Sequence, residues 1–248
     1  NGTSGNVSLW GDKQVKAPGI SGYETSMHQT WLIALAASTC IVAAAPLTVD
    51  PTVPAPEPSV APALPTVELP VIEMASQHQD DRPPGTVVDT IIVHDTETPG
   101  VRDAATIVNW FKHPRSLVSA HYVIGKRGEL VQCVPDHRRA WHAGPSKLDG
   151  REKVNDFSIG IELVNAQTGR DPFTDAQHRT LALLTADLVT RFAIPRTRIV
   201  GHRHVTNYPQ YKRDPADNFD WTRFFTDVDA VIATRQVVRV ASPQQATK

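Results

Sequence analysis

Ser158-Ile159-Gly160-Ile161-Glu162-Leu163-Val164 is the stretch from which the fold is best read. Successive side chains of an extended strand point to opposite faces, so Ile159, Ile161 and Leu163 share one face and Glu162 stands on the other. Downstream the period changes. Thr174-Asp175-Ala176-Gln177 is a capping box, and it opens a helix that runs to Phe192. Leu181, Leu184, Leu188 and Phe192 recur there at spacings of three and four, the stripe of a half-buried helix. Ile199-Val200-Gly201 is a short strand, and residues 220–234 form a last helix. Upstream, residues 121–125 and 130–134 are strands joined by Lys126-Arg127-Gly128-Glu129, a hairpin turn in which Gly supplies the permissive backbone. Residues 103–111 are helical, closed by Pro114, and Thr90-Ile91-Ile92-Val93-His94-Asp95 is a strand. Strands interleaved with helices predict one mixed α/β sheet domain of roughly 160 residues, enough for a single core.

The 248 residues carry 25 basic and 26 acidic side chains, so no charge excess calls for nucleic acid or an anionic surface. Composition divides the chain unevenly. Ten of the 20 prolines fall between Pro46 and Pro84, and eight of the 10 histidines fall between His94 and His204. Residues 1–26 are Gly- and Ser-rich and read as non-native or upstream sequence, with Met27 the better start. Residues 27–45 read as a signal peptide: an apolar run from Trp31 closes in an Ala-x-Ala pattern at Ala43–Ala45. The expectation is export to the periplasm, cell envelope or medium. Tethering to a membrane through this N-terminal segment is possible on the same reading, although Ala37-Ser38-Thr39 before Cys40 is a poor lipidation signal. Residues 46–85 alternate Pro with Ala, Val, Thr and Glu and read as an extended, polyproline-like linker. The folded domain is then residues 86–236, and residues 237–248 a disordered tail. Two cysteines, Cys40 and Cys133, make no disulfide framework.

The chemistry concentrates after the strand at 199–201. Gly201-His202-Arg203-His204 through Lys212-Arg213-Asp214-Pro215 is rich in Pro and Asn and reads as a loop. A loop can bring His202 and Asp214 together, and imidazole with carboxylate suits a borderline divalent ion such as zinc. A catalytic zinc keeps a position for water, so one further protein ligand is expected elsewhere; His94 at the end of its strand is the candidate. His204 is an alternative to His202. Residues 140–157 form a long loop, which in a compact domain usually carries function. Its Trp141-His142-Ala143-Gly144, with Asn155, offers an aromatic platform beside polar groups, the kind of surface that sugar and peptide recognition uses. His121 reads as a structural histidine, since a fourth protein ligand would close the metal to water.

Six motifs in order (Ile91-Ile92-Val93-His94, Ser119-Ala120-His121-Tyr122-Val123-Ile124, Arg139-Ala140-Trp141-His142-Ala143-Gly144, Asn155 to Glu162, Gly201-His202 and Lys212-Arg213-Asp214-Pro215) resemble the zinc-dependent N-acetylmuramoyl-L-alanine amidases of the AmpD and peptidoglycan-recognition-protein type, amidase type 2. The resemblance covers about residues 88–225. It implies a central mixed sheet flanked by helices, an open groove for peptidoglycan or muropeptides, and one zinc ion held by His94, His202 and Asp214. It also implies Glu162 as the acidic residue that moves the proton and Lys212 as the basic residue beside the developing charge. Zinc chemistry asks for the same types independently: a carboxylate to take a proton and a cation to steady an oxyanion. The chain departs from the family in carrying His204 where Asp is common, Ala216 where Gly is common, and a slightly longer loop from His202 to Asp214. Hydrolysis of the amide between N-acetylmuramic acid and L-alanine is the expected reaction. A peptidoglycan-binding module that does not cut, or a zinc hydrolase of another amide, are the rival readings.

Overall fold

The computed structural model describes residues 66–234 and 237–241. The upstream and signal-peptide readings of residues 1–45, and the first part of the linker reading, lie outside the described residues. Four strands run side by side and parallel: β3 (Thr90–Asp95), β4 (Tyr122–Ile124), β9 (Ser158–Leu163) and β10 (Ile199–Gly201), in the spatial order β10-β3-β9-β4. Beyond them come β5 (Leu130–Gln132), antiparallel to β4, then β1 (Thr66–Glu73) and β11 (Val237–Ala241), each parallel to its inner neighbour. Two small ribbons complete the strands: β2 (Gln79–Asp81) with β6 (Arg138–Ala140), and β7 (Lys147–Leu148) with β8 (Arg151–Glu152). The helices are α1 (Ala104–Phe111), α2 (Asp175–Phe192) and α3 (Trp221–Ala233).

The pleat sorts the side chains. Ile91 and Val93 of β3, Ile159, Ile161 and Leu163 of β9, Tyr122 and Ile124 of β4 and Leu130 of β5 face one way and pack under α2 and α3. Val123 and Val131 face the other way and pack with Ile107, Val108 and Phe111 of α1. Helices thus cover both faces of the sheet, and β3 is buried along its whole length because its second face, at Ile92, is covered by Ala143, Val154, Phe157 and Val205 of the neighbouring loops. The mixed central sheet flanked by helices is therefore as the sequence leads one to expect. The capping box of α2 forms in full: the Thr174 hydroxyl accepts from the Gln177 amide at 3.1 Å, and the Thr174 amide donates to the Gln177 side chain at 3.1 Å. Leu181, Leu184 and Leu188 are fully buried, each worth roughly 1.5–3 kcal/mol. Asp103 caps α1 and Asp220 caps α3 through the amides of Thr106 and Arg223.

Two boundaries differ from the reading of composition. Within residues 46–85, the stretch from Thr66 is not spacer: it forms β1 and β2. Its Leu69 and Val71 alternate with exposed Glu68, Pro70 and Ile72 and are buried in the main core. Pro70 is tolerated because β1 changes neighbours there, pairing with β11 through Pro70 and with β5 from Val71 onward. At the other end, Val237-Val238-Arg239-Val240-Ala241 is not tail but β11; its β-branched residues suit an extended strand. The long loop is also partly ordered, holding β7, β8 and a short 3₁₀ turn, Val154–Phe157.

Arg82, just after β2, ties this N-terminal segment to the rest. Its guanidinium donates to the carbonyls of Asp136, Asn155, Asp156 and Ser158 at 2.7–3.2 Å. Burial lowers its pKa to about 10. Arg82→Ala leaves four inward-facing carbonyls short of a donor and should destabilise the domain by at least about 3 kcal/mol, read as a lower urea midpoint. A chain begun at residue 86 should lose more than that, since it also lacks Leu69 and Val71.

Candidate active site

His94 is the penultimate residue of β3, and its neighbour across the parallel pair is Glu162 of β9. Both stand on the face of the sheet opposite the α2/α3 core. His202 follows β10 directly, in a short 3₁₀ turn. Gly201 before it is required by close approach: a Cβ there would lie 2.8 Å from the Pro215 ring and 3.2 Å from Trp221. That contact seats the Asp214–Pro215 segment against the end of β10. The segment is also pinned to β3, because the Asp95 carboxylate accepts from the Ala216 amide at 2.6 Å.

These anchors bring His94, His202 and Asp214 to one point, all three buried, with ligand atoms within 4.8 Å of one another. Asp214 Oδ2 lies 2.8 Å from His94 Nδ1, and Oδ1 lies 3.0 Å from His202 Nδ1. Burial works to raise the Asp214 pKa, but the contacts with His202 and His94 prevail and hold the carboxyl well below the usual range. Burial takes His94 down to about 4 despite its hydrogen bond to Asp214. The outer nitrogen of His202 lies 3.2 Å from the Ala143 carbonyl oxygen, which can only accept. The hydrogen therefore sits on Nε2, and the Nδ1 lone pair faces a carboxylate. Such a pairing calls for a positive charge between them, a proton or a metal ion, which compete for the same lone pair. Two imidazoles and a carboxylate are the donor types that zinc takes, so the residues fit that ion.

Around this triad stand further carboxylates. Burial, then the charges of Asp214, Asp95 and Glu97, push Glu162 well above the ordinary range, with Lys212 opposing. Glu162 Oε2 is buried and meets no hydrogen-bond partner among the described residues. Asp95 is raised to about 7, chiefly by burial. Glu97, in the left-handed region at φ 50°, is also raised by burial; it holds Gln167 at 3.3 Å and lies 3.7 Å from Lys212. Lys212 is thus braced by Glu97, and its charge reaches both Glu162 and His94. Asp95 and Glu97 are site residues that sequence reading passes over. The signal available was their spacing: both follow His94 on the same strand end.

The three residues read as substrate contacts sit differently from one another. Trp141 is half-buried, its ring tilted against His78 at 5.4 Å, and its amide donates to Ser119 Oγ at 2.9 Å. His142 lies against the triad, with Nδ1 3.0 Å from His94 Nε2. Asn155 faces the chain: its Oδ1 accepts from the His142 and Ala143 amides at 3.2 and 2.8 Å. His121 is fully buried and accepts from the Gly160 amide at 3.0 Å, a structural part. His204 is exposed, accepts from the Gly201 amide at 3.1 Å and packs edge-on to Trp221, outside the triad.

The structure is an α/β domain, a mixed sheet with helices on both faces, in which two histidines and an aspartate converge at the ends of β3 and β10 as a possible three-residue metal site. The N-acetylmuramoyl-L-alanine amidase family (Amidase_2) matches residues 84–217, more than half of the chain, and the chain belongs to that family. It is 49% identical over 107 residues to the 1,6-anhydro-N-acetylmuramyl-L-alanine amidase AmpD of Citrobacter freundii, a match covering 43% of this chain and 55% of that protein. The chain thus spans about half the length of this curated relative. The crystal structure of an Se-Met AmpD derivative is similar with a TM-score of 0.57 and 38% identity, over 64% of this chain and 94% of that one. The E. coli amidase AmiD in complex with anhydro-N-acetylmuramic acid-L-Ala-D-γ-Glu-L-Lys is similar with a TM-score of 0.50 and 27% identity, over 59% and 60% of the two chains.

The geometry separates the two loop histidines. After equilibration with zinc and exhaustive dialysis, His204→Ala should retain one zinc per chain and His202→Ala essentially none, measured by metal analysis. Equal retention by both variants contradicts this assignment.

Proposed function

We propose that this chain hydrolyses the amide between the lactyl group of N-acetylmuramic acid and L-alanine in peptidoglycan or muropeptides, with one zinc ion held by His94, His202 and Asp214. The observation that carries the reading is the buried triad with Glu162 beside it on the adjacent strand. Membership of the amidase family supports it, as do the activities in the names of AmpD and AmiD and the muropeptide bound to AmiD. Zinc, when bound, polarises the substrate carbonyl and makes water a competent nucleophile near neutral pH.

The remaining work falls to side chains. Glu162, raised by burial and by neighbouring carboxylates, holds a proton more firmly than an ordinary glutamate. It can take the proton of the attacking water and return it to the departing L-alanine nitrogen, the two-way duty of a general base that becomes an acid. Lys212, braced by Glu97, supplies positive charge for the oxyanion of the tetrahedral intermediate. Half-buried Trp141, in the loop of residues 140–157, offers a ring face to the sugar or stem peptide.

Action at the cell envelope is part of the proposal. It is supported by the apolar run from Trp31 and the Ala-x-Ala at Ala43–Ala45, and the same segment is the proposed route to any membrane tether.

The test is release of L-alanine amino termini from purified muropeptides and from intact peptidoglycan, with and without chelator. Chelation should abolish release and zinc restore it. Glu162→Gln should lower kcat by about 10²–10⁴-fold while keeping its zinc. Lys212→Ala should lower kcat by about 10²-fold. Stoichiometric zinc with no release from either substrate would overturn the reading in favour of recognition without cutting or of a different amide.

A further inference from the structure

We infer that His142, held by Ser158 and seated over Gly160, is a positioning residue that fixes the ring tautomer of His94 and so aims the His94 Nδ1 lone pair at the metal position. The inference rests on the metal-centre reading above and deepens it. It moves His142 from the substrate surface, where sequence reading puts it, to the outer support of a ligand.

The direction of each hydrogen bond follows from the one before it. Ser158 Oγ lies 2.6 Å from the Val154 carbonyl oxygen, which can only accept, so the single hydroxyl hydrogen goes there. His142 Nε2 lies 3.2 Å from the same Oγ and must therefore donate to it. With its hydrogen on Nε2, the neutral His142 ring has an acceptor at Nδ1. That atom is 3.0 Å from His94 Nε2, which in turn must donate. His94 is left with its lone pair on Nδ1, 2.8 Å from Asp214 Oδ2. A backbone carbonyl at Val154 thus sets, through two side chains, which nitrogen of His94 is free to bind a cation.

The chain makes room for this relay. Ser158, Gly160 and Glu162 share one face of β9, and a Cβ at Gly160 would lie 2.4 Å from Cγ and 2.6 Å from Nδ1 of His142. The imidazole occupies the space that a side chain would fill. The next residue treats the second histidine the same way, since the Ala143 carbonyl takes the Nε2 hydrogen of His202. Asn155 Oδ1 accepts from both amides, His142 and Ala143, and holds the pair as a unit. One dipeptide therefore supplies the outer partner of both imidazoles. Such partners typically contribute 10–100-fold to metal affinity.

The experiment is zinc affinity by competition with a chromogenic chelator, on wild type and three variants. His142→Leu keeps bulk but offers no acceptor, and its Kd for zinc should rise by about 10–100-fold. His142→Asn places an amide oxygen where Nδ1 lies and should recover most of that loss. Ser158→Ala, which frees the His142 ring to take either tautomer, should fall between wild type and His142→Leu, and it decides the matter if His142→Leu does not fold. Nitrogen-15 NMR of zinc-loaded wild type should show His94 protonated at Nε2. Unchanged affinity in His142→Leu, or equal weakening in the Leu and Asn variants, would overturn the inference, since the second pattern reports lost packing alone. Failure of wild type to bind zinc would instead overturn the metal centre itself.

Discussion

Everything at the site depends on the register between two parallel strands. β3 and β9 pair so that His94 stands beside Glu162, while Ile91 meets Ile159 and Val93 meets Ile161 on the opposite face. Because the side-chain period is two, a slip of either strand by one residue would turn that strand's side chains over, sending its His94 or Glu162 into the apolar core and parting the pair. The hydrophobic face under α2 and α3 therefore does more than stabilise the fold. It is what places the imidazole and the carboxylate side by side, with the burial that shifts both of them.

That burial creates an electrostatic problem of one sign. Asp95, Glu97, Glu162 and Asp214 all feel one another, and three of the four are pushed above the ordinary carboxylate range. Asp214 alone is driven down, because both imidazoles face it. Lys212 offsets part of the excess, and Glu97 braces it close enough for its charge to be felt at Glu162. Lone pairs and carboxylates converging in low dielectric are costly unless a cation joins them. The arrangement is better explained as a place for a positive ion than as a support for the sheet.

Much of this was legible in the sequence where a period or a cap spoke for it. The alternation of Ser158–Leu163, the capping box at Thr174 and the leucine stripe of α2 each have a local physical cause, and the structure follows them closely. β1 was not legible, because its Leu69 and Val71 are embedded in proline-rich surroundings, and its pairing with β5 and β11 is long-range. Local pattern reports which face of a strand is apolar, not which distant strand will cover it. The same limit applies at the site. Resemblance named the positions, but nothing local distinguishes Asn155, which clamps backbone amides, from a residue that faces substrate. Hydrogen-bond direction depends on partners that only the folded chain brings into reach.

Those partners also explain why the domain extends further toward its N-terminus than composition implies. The dipeptide that orients both imidazoles is held by Asn155, and the backbone around Asn155 is held in turn by Arg82, which donates to the carbonyls of Asn155, Asp156 and Ser158. Arg82 follows β2, whose Asp80 pairs with Arg139, the residue two before Trp141; Arg139 also reaches Asp156. The loop beside the triad is therefore gripped on its outer side by a segment that reads as linker from its prolines. A long guanidinium is suited to this: its five donors lie in a fixed plane and can satisfy several carbonyls at once, where a lysine could offer three without a preset geometry. The buried triad, its outer partners and the N-terminal segment form successive supports of one site, and the precision of the innermost is inherited from the outermost.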